Sequence, residues 1–79
     1  MNQVKLTFPK SHFNSKRQVQ KILEPLWIHY SVGPPNAGSE TSTEYIFTLN
    51  NINKVTTGTI RRFLSTNFRN IDQVDIEDV

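Results

Sequence analysis

Seventy-nine residues, 35% of them hydrophobic and 20% charged, fit one small domain over 1–79 and exclude a second one. The absence of cysteine removes disulfides, thiolate metal sites and cysteine nucleophiles together, and fits a cytoplasmic setting. No run approaches the ~20 apolar residues that span a bilayer, and "MNQVKLTF" lacks the apolar stretch of a secretory signal, so no membrane partner is expected.

"QVKLTF" alternates, with Val4, Leu6 and Phe8 opposite Gln3, Lys5 and Thr7, and predicts a half-buried strand. "KSHFNS" follows as a connector. From Ser15 the period becomes helical through Val19, Ile22, Leu23, Leu26 and Trp27, with Asn14 or Ser15 as N-cap. Pro25 disfavours helical backbone at the residue before it, so a short helix ending at Glu24 is expected, with Trp27 packed where the helix gives way to the next strand.

"WIHYSV" alternates again, placing Ile28, Tyr30 and Val32 opposite His29 and Ser31, and "EYIFTL" places Tyr45, Phe47 and Leu49 opposite Glu44, Ile46 and Thr48. A second helix follows, capped by Thr56 or Thr57 and striped by Ile60, Phe63, Leu64 and Phe68, with Val55 as a staple and Gly58 tolerated in its first turn. "IDQVDIEDV" alternates through Val74 and Ile76 as the last strand.

The order is β-α-β-β-α-β. It predicts an α+β, ferredoxin-like fold, a four-stranded antiparallel sheet with two helices on one face. The hairpin "GPPNAGSETST" at 33–43 is longer than such a connection requires, and its glycines and paired prolines predict a mobile, projecting loop. It is either a tolerated insertion or a segment that orders on a partner. The free face of the sheet should show Lys5, Thr7, His29, Ser31, Glu44, Ile46, Thr48, Gln73 and Asp75.

That face lacks the exposed aromatic residues on which RNA-recognition modules stack bases, and "EYIFTL" lacks the basic residue and glycine of their third-strand signature. "FPKSHFNS" has neither the glycine nor the arginine with which acylphosphatases hold phosphate, and the cysteines of a ferredoxin are missing. Through the strand order, the long glycine-containing hairpin and "EYIFTLNNINKV", the chain resembles small regulatory modules of ACT type and YbeD-like type. The resemblance implies a regulatory domain; the glycine that would accompany an amino-acid site is absent from "TFPKSHFNSK". His12 and His29 are the general-base candidates, but they fall on different elements, and Asp72 and Asp75 complete neither a triad nor a metal site. No enzyme, metal or cofactor is expected.

Binding remains. The formal net charge of +2 is unevenly spread: residues 1–21 hold Lys5, Lys10, Lys16, Arg17 and Lys21 without an acid, Arg61, Arg62 and Arg69 form a second basic group, and Asp72, Asp75, Glu77 and Asp78 end the chain. The favoured expectation is a small adaptor, inhibitor or regulator that binds another protein through the long hairpin, with Pro34, Pro35, Asn36, Ser39 and Glu40 as contacts, through an unpaired sheet edge, or through the arginine pair Arg61 and Arg62 on the second helix. Richness in Asn and Thr is compatible with a phage or mobile-element protein acting on a host factor. The alternative is a nucleic-acid binder whose phosphate contacts are Lys10, His12, Lys16, Arg17, Lys21, Arg61 and Arg62. A monomer or a homodimer joined at the second strand fits either reading.

Overall fold

A computed structural model describes residues 2–35 and 38–79, and only the backbone of Pro34 and Pro35. The elements are β1 (Gln3–Pro9), α1 (Lys16–Tyr30), β2 (Val32–Pro35), β3 (Ser39–Glu40), β4 (Glu44–Asn51), α2 (Thr57–Asn67), a 3₁₀ turn (Ile71–Gln73) and β5 (Asp75–Asp78). They form an α+β fold with two helices and one antiparallel sheet of five strands, in the order β2-β4-β1-β5, with β3 also paired to β4.

β1 and β4 form the middle of the sheet, and both alternate strictly between buried and half-exposed residues. Their register sets Leu6 opposite Phe47 and Val4 opposite Leu49, while Leu6 also faces Ile76 of β5. All the inward residues therefore fall on one face, and there they join Val19, Ile22, Leu23 and Leu26 of α1 and Ile60 and Leu64 of α2 in one buried cluster. Phe8 lies among rings, edge-on to Phe13 at 5.2 Å and to Phe47 at 6.3 Å, the arrangement that aromatic quadrupoles favour. Phe13, read from sequence as part of a connector, is also core, and so is Ile71, which is corrected from the last strand to the 3₁₀ turn that precedes it.

The expected second strand "WIHYSV" is corrected: residues 28–30 are the last turn of α1, which runs through Pro25 instead of ending at Glu24. An interior proline forfeits a hydrogen bond to the carbonyl four residues back, that of Lys21, at a cost of roughly 3 kcal/mol. Burial of Leu26 at 0% exposure offsets much of that cost. The turn is also closed at its end, where Ser31 takes a left-handed conformation (φ 56°) and its N–H donates to the carbonyls of Leu26 and Trp27. Helical spacing sets Tyr30 beside Leu26 and turns Ile28 outward to 70% exposure, so Ile28 is not in the core and His29 and Ser31 are not on the sheet face. Trp27 is 48% exposed and only half packed.

The expected free hairpin at 33–43 is corrected as well. β2 and β3 both lie along the outer edge of β4, with Val32 opposite Asn51, Pro35 opposite Leu49, Ser39 opposite Ile46 and Glu40 opposite Tyr45. The hairpin proper is the short turn after β3, where the Thr41 N–H donates to the Glu44 carbonyl (2.9 Å) and the Thr41 hydroxyl accepts from the Glu44 N–H (3.0 Å). This edge is a strand in two pieces, which is why the sheet has five strands and not the four expected.

Among the described residues no helix is long and apolar enough to cross a membrane.

Candidate binding surface

The residues expected to bind through a projecting loop are placed differently from one another. Pro34 and Pro35 fall within β2, Ser39 and Glu40 form β3, and Asn36 lies outside the described residues. Gly38 lies against Phe47, and a Cβ there would come within 2.5 Å of its ring, so only glycine lets the backbone approach so closely.

Two of the expected phosphate contacts are engaged in fixing this segment. The Lys16 ammonium donates to the Gly38 carbonyl at 3.0 Å, and Lys10 pairs with Glu40 at 2.8 Å while lying 5.1 Å from the centre of the Tyr45 ring. The hydrogen bond from Lys10, followed by its charge, holds the Glu40 carboxyl below the usual carboxylate range. Arg61 is occupied elsewhere, reaching the Ile71 carbonyl at 3.3 Å and tying α2 to the 3₁₀ turn. His12 shares a hydrogen bond with the neighbouring Ser11 hydroxyl at 2.9 Å. Four of the seven expected basic contacts, Lys10, His12, Lys16 and Arg61, thus have partners within the chain. The other three, Arg17, Lys21 and Arg62, project into solvent, and among the described residues no side-chain hydrogen bond or ion pair holds them.

Charge is sorted by layer. α1 and α2 carry Lys16, Arg17, Lys21, Arg61 and Arg62 against a single acid, Glu24, whereas Glu40, Glu44, Asp75, Glu77 and Asp78 all belong to strands. Arg17 and Lys21 are one helical turn apart on the solvent side of α1, in line with Glu24 and the exposed Ile28. The layer thus offers a positive field with apolar points in it. The opposite face of the sheet is mixed, with Lys5 3.8 Å from Glu77 and both partners well exposed.

Where α1 ends against α2 there is a shallow hollow of ≈ 380 Å³, lined by Tyr30, Thr59, Arg62, Phe63, Thr66 and Asn67. Tyr30 meets the Phe63 ring edge-on at 5.2 Å, and the His29 ring lies 5.3 Å from the Phe63 ring. Sequence reading missed this site because it placed His29 and Tyr30 on a strand. The available signal was the spacing Ile22–Leu26–Tyr30, which continues the helical stripe past the proline.

A second hollow, of ≈ 310 Å³, lies at the start of α2 beside Asn51, Lys54 and Asp78. Its buried polar group is satisfied internally: the Asn51 amide donates to the Val55 carbonyl (2.8 Å) and its oxygen accepts from the Val55 N–H (2.9 Å). It braces the loop into α2. Among the described residues no cluster of three or more His, Asp or Glu side chains could hold a metal ion.

Compared with protein-family models, curated proteins and solved structures, the chain matches none.

Proposed function

We propose that the chain is a non-enzymatic binding module whose partner is a protein with an acidic surface, met by the layer of two helices. The observation that carries this reading is the sorting of charge, with Arg17, Lys21 and Arg62 exposed on helices that hold one acid between them. Fields of one sign steer association and reject partners of like charge. Half-exposed Trp27 and exposed Ile28 on the same helix supply the apolar contact that electrostatics alone does not.

A phosphate backbone is the other polyanion that such a layer could meet. It is favoured less, because Lys10 and Lys16, two of the cations such a site would need, are bound to Glu40 and Gly38. In fold terms, β2 and β3 are read together as one interrupted second strand, which makes the order that of a ferredoxin-like, split βαβ arrangement.

The test is capture from cell extract by the tagged protein and by an Arg17→Glu, Lys21→Glu variant, each with and without nuclease. A protein that survives nuclease and is lost with the variant supports the reading. Retention that nuclease abolishes transfers the helix layer to nucleic acid, and a captured set identical for both proteins removes the layer from function altogether.

A further inference from the structure

The hollow between the end of α1 and α2 narrows the choice of partner, and this step rests on the acidic-partner reading above. Its floor is aromatic, with Tyr30 edge-on to Phe63 at 5.2 Å. Its rim carries Arg62, whose side chain no acid engages among the described residues; α2 contains no acid at all. The Asn67 amide donates to the Phe63 carbonyl at 2.8 Å and the Thr66 hydroxyl to the Arg62 carbonyl at 3.0 Å, so both side chains are tied back to their own helix. A site lined by two aromatic rings with the Arg62 guanidinium beside them matches a peptide that offers a ring and a carboxylate at short spacing.

We infer that this hollow is the anchor point for an acidic peptide segment of the partner, one aromatic side chain packing into it against Tyr30 and Phe63 while a neighbouring carboxylate pairs with Arg62. At ≈ 380 Å³ and open to solvent, it has room for one large side chain and does not enclose a whole ligand. Rings meet rings favourably edge-to-face or offset, and an arginine–carboxylate pair adds two parallel hydrogen bonds with fixed geometry. Charge chooses the peptide class: Arg62 lines the site, Lys21 lies on the other helix that frames it, and Glu24 is the one acid on either helix. A basic peptide is repelled.

The experiment is selection of a phage-displayed library of random 12-residue peptides on the full chain, followed by fluorescence-anisotropy titration of the enriched peptides at low and moderate salt. Enriched sequences should place Trp, Phe or Tyr within about three residues of Asp or Glu. Two variants separate the contributions. Arg62→Glu should weaken binding at least tenfold and flatten its salt dependence; Thr66→Tyr, which fills the hollow and keeps the charge, should weaken it at least fivefold. Both positions are exposed, so the unfolding midpoint of each variant should stay at the parental value. No enrichment, enrichment without the acid–aromatic pairing, or binding that both variants leave within twofold overturns the anchor. Competition by a single-stranded oligothymidylate at the affinity of the peptide overturns the peptide class. If the anchor fails while Arg17→Glu, Lys21→Glu still loses its captured protein, the acidic-partner reading stands and the contact lies elsewhere on the helices.

Discussion

β5 and the interrupted strand formed by β2 and β3 both border the sheet, yet they meet solvent with different chemistry. β5 is regular: Ile76 points inward, Asp75 and Glu77 point to the opposite face, and Asp78 is exposed at its end. Such acids deter a stray strand by repulsion. The other edge uses backbone conformation. Pro34 and Pro35 offer no N–H, Gly33 takes φ 139°, the pairing with β4 shifts register between Val32 and Pro35, and Gly38 presses on Phe47. Two lysines, Lys10 and Lys16, then tie the far piece to the rest of the molecule. An edge built from side-chain alternation tolerates surface change, whereas one built from glycine and proline is sensitive at single positions.

The largest break in this contrast should come at Gly38. Gly38→Val forces a side chain into the Phe47 ring and should cost about 1–3 kcal/mol, whereas Glu77→Val on the opposite edge should stay within about 0.5 kcal/mol. Urea midpoints at constant slope measure both. Equal midpoints would mean that the interrupted edge is not packed on β4. Next in size is Asn51→Ala, at the point where Val32 begins the interrupted edge: it strips Val55 of both hydrogen bonds in a site where Asn51 is only 3% exposed, and about 1–3 kcal/mol should be lost. Asn51→Ser as stable as the parent would show that water replaces the amide there.

The two edges also explain what could be read from the sequence. β1, β4, α2 and the region of β5 were legible because their apolar residues keep one period from end to end and each helix start has a Ser or Thr cap: Ser15 accepts from the Gln18 N–H and Thr56 from the Thr59 N–H. Between Pro25 and Val32 two periods compete. Ile28 and Tyr30 fit a strand, Leu26 and Tyr30 fit a helix, and the core contact of Leu26 with the cap at Ser31 decides for the helix, neither being visible in local sequence. "GPPNAGSETST" reads as loop because glycine and proline stand where β-formers are expected; its pairing depends on an edge that β4 alone presents. Of the candidate site, Arg62 was found from charge, while Tyr30 was misplaced by one element and the aromatic floor with it.

Ser31 sharpens the comparison at the hinge between α1 and the interrupted edge. Because its φ of 56° suits glycine better than serine, Ser31→Gly should raise stability by about 0.5–1 kcal/mol, and Ser31→Val should lower it by more. In a strand the signs reverse, since glycine weakens strands and valine favours them. Thermal midpoints of the two variants therefore report directly which conformation the end of "WIHYS" adopts.

The smallest effect distinguishes how the charges at the two edges act. Lys10 holds the Glu40 carboxyl below its usual range, so near that range the folded chain binds fewer protons than the unfolded one. The contribution of the pair is complete above the unfolded value, about 4.3, and is lost as pH falls through the lower folded value. Both side chains are partly exposed, at 28% for Lys10 and 51% for Glu40, so the gain is slight and sensitive to salt. Glu40→Gln should lower the thermal midpoint by about a degree at pH 7 in low salt. The gap should close in acid, as pH falls through the lowered folded value and wild-type Glu40 is also neutralised, and in about 1 M salt, where the charges are screened. A gap that persists in acid would assign the role of Glu40 to the backbone of β3 and leave the interrupted edge held by Gly38 and Lys16 alone.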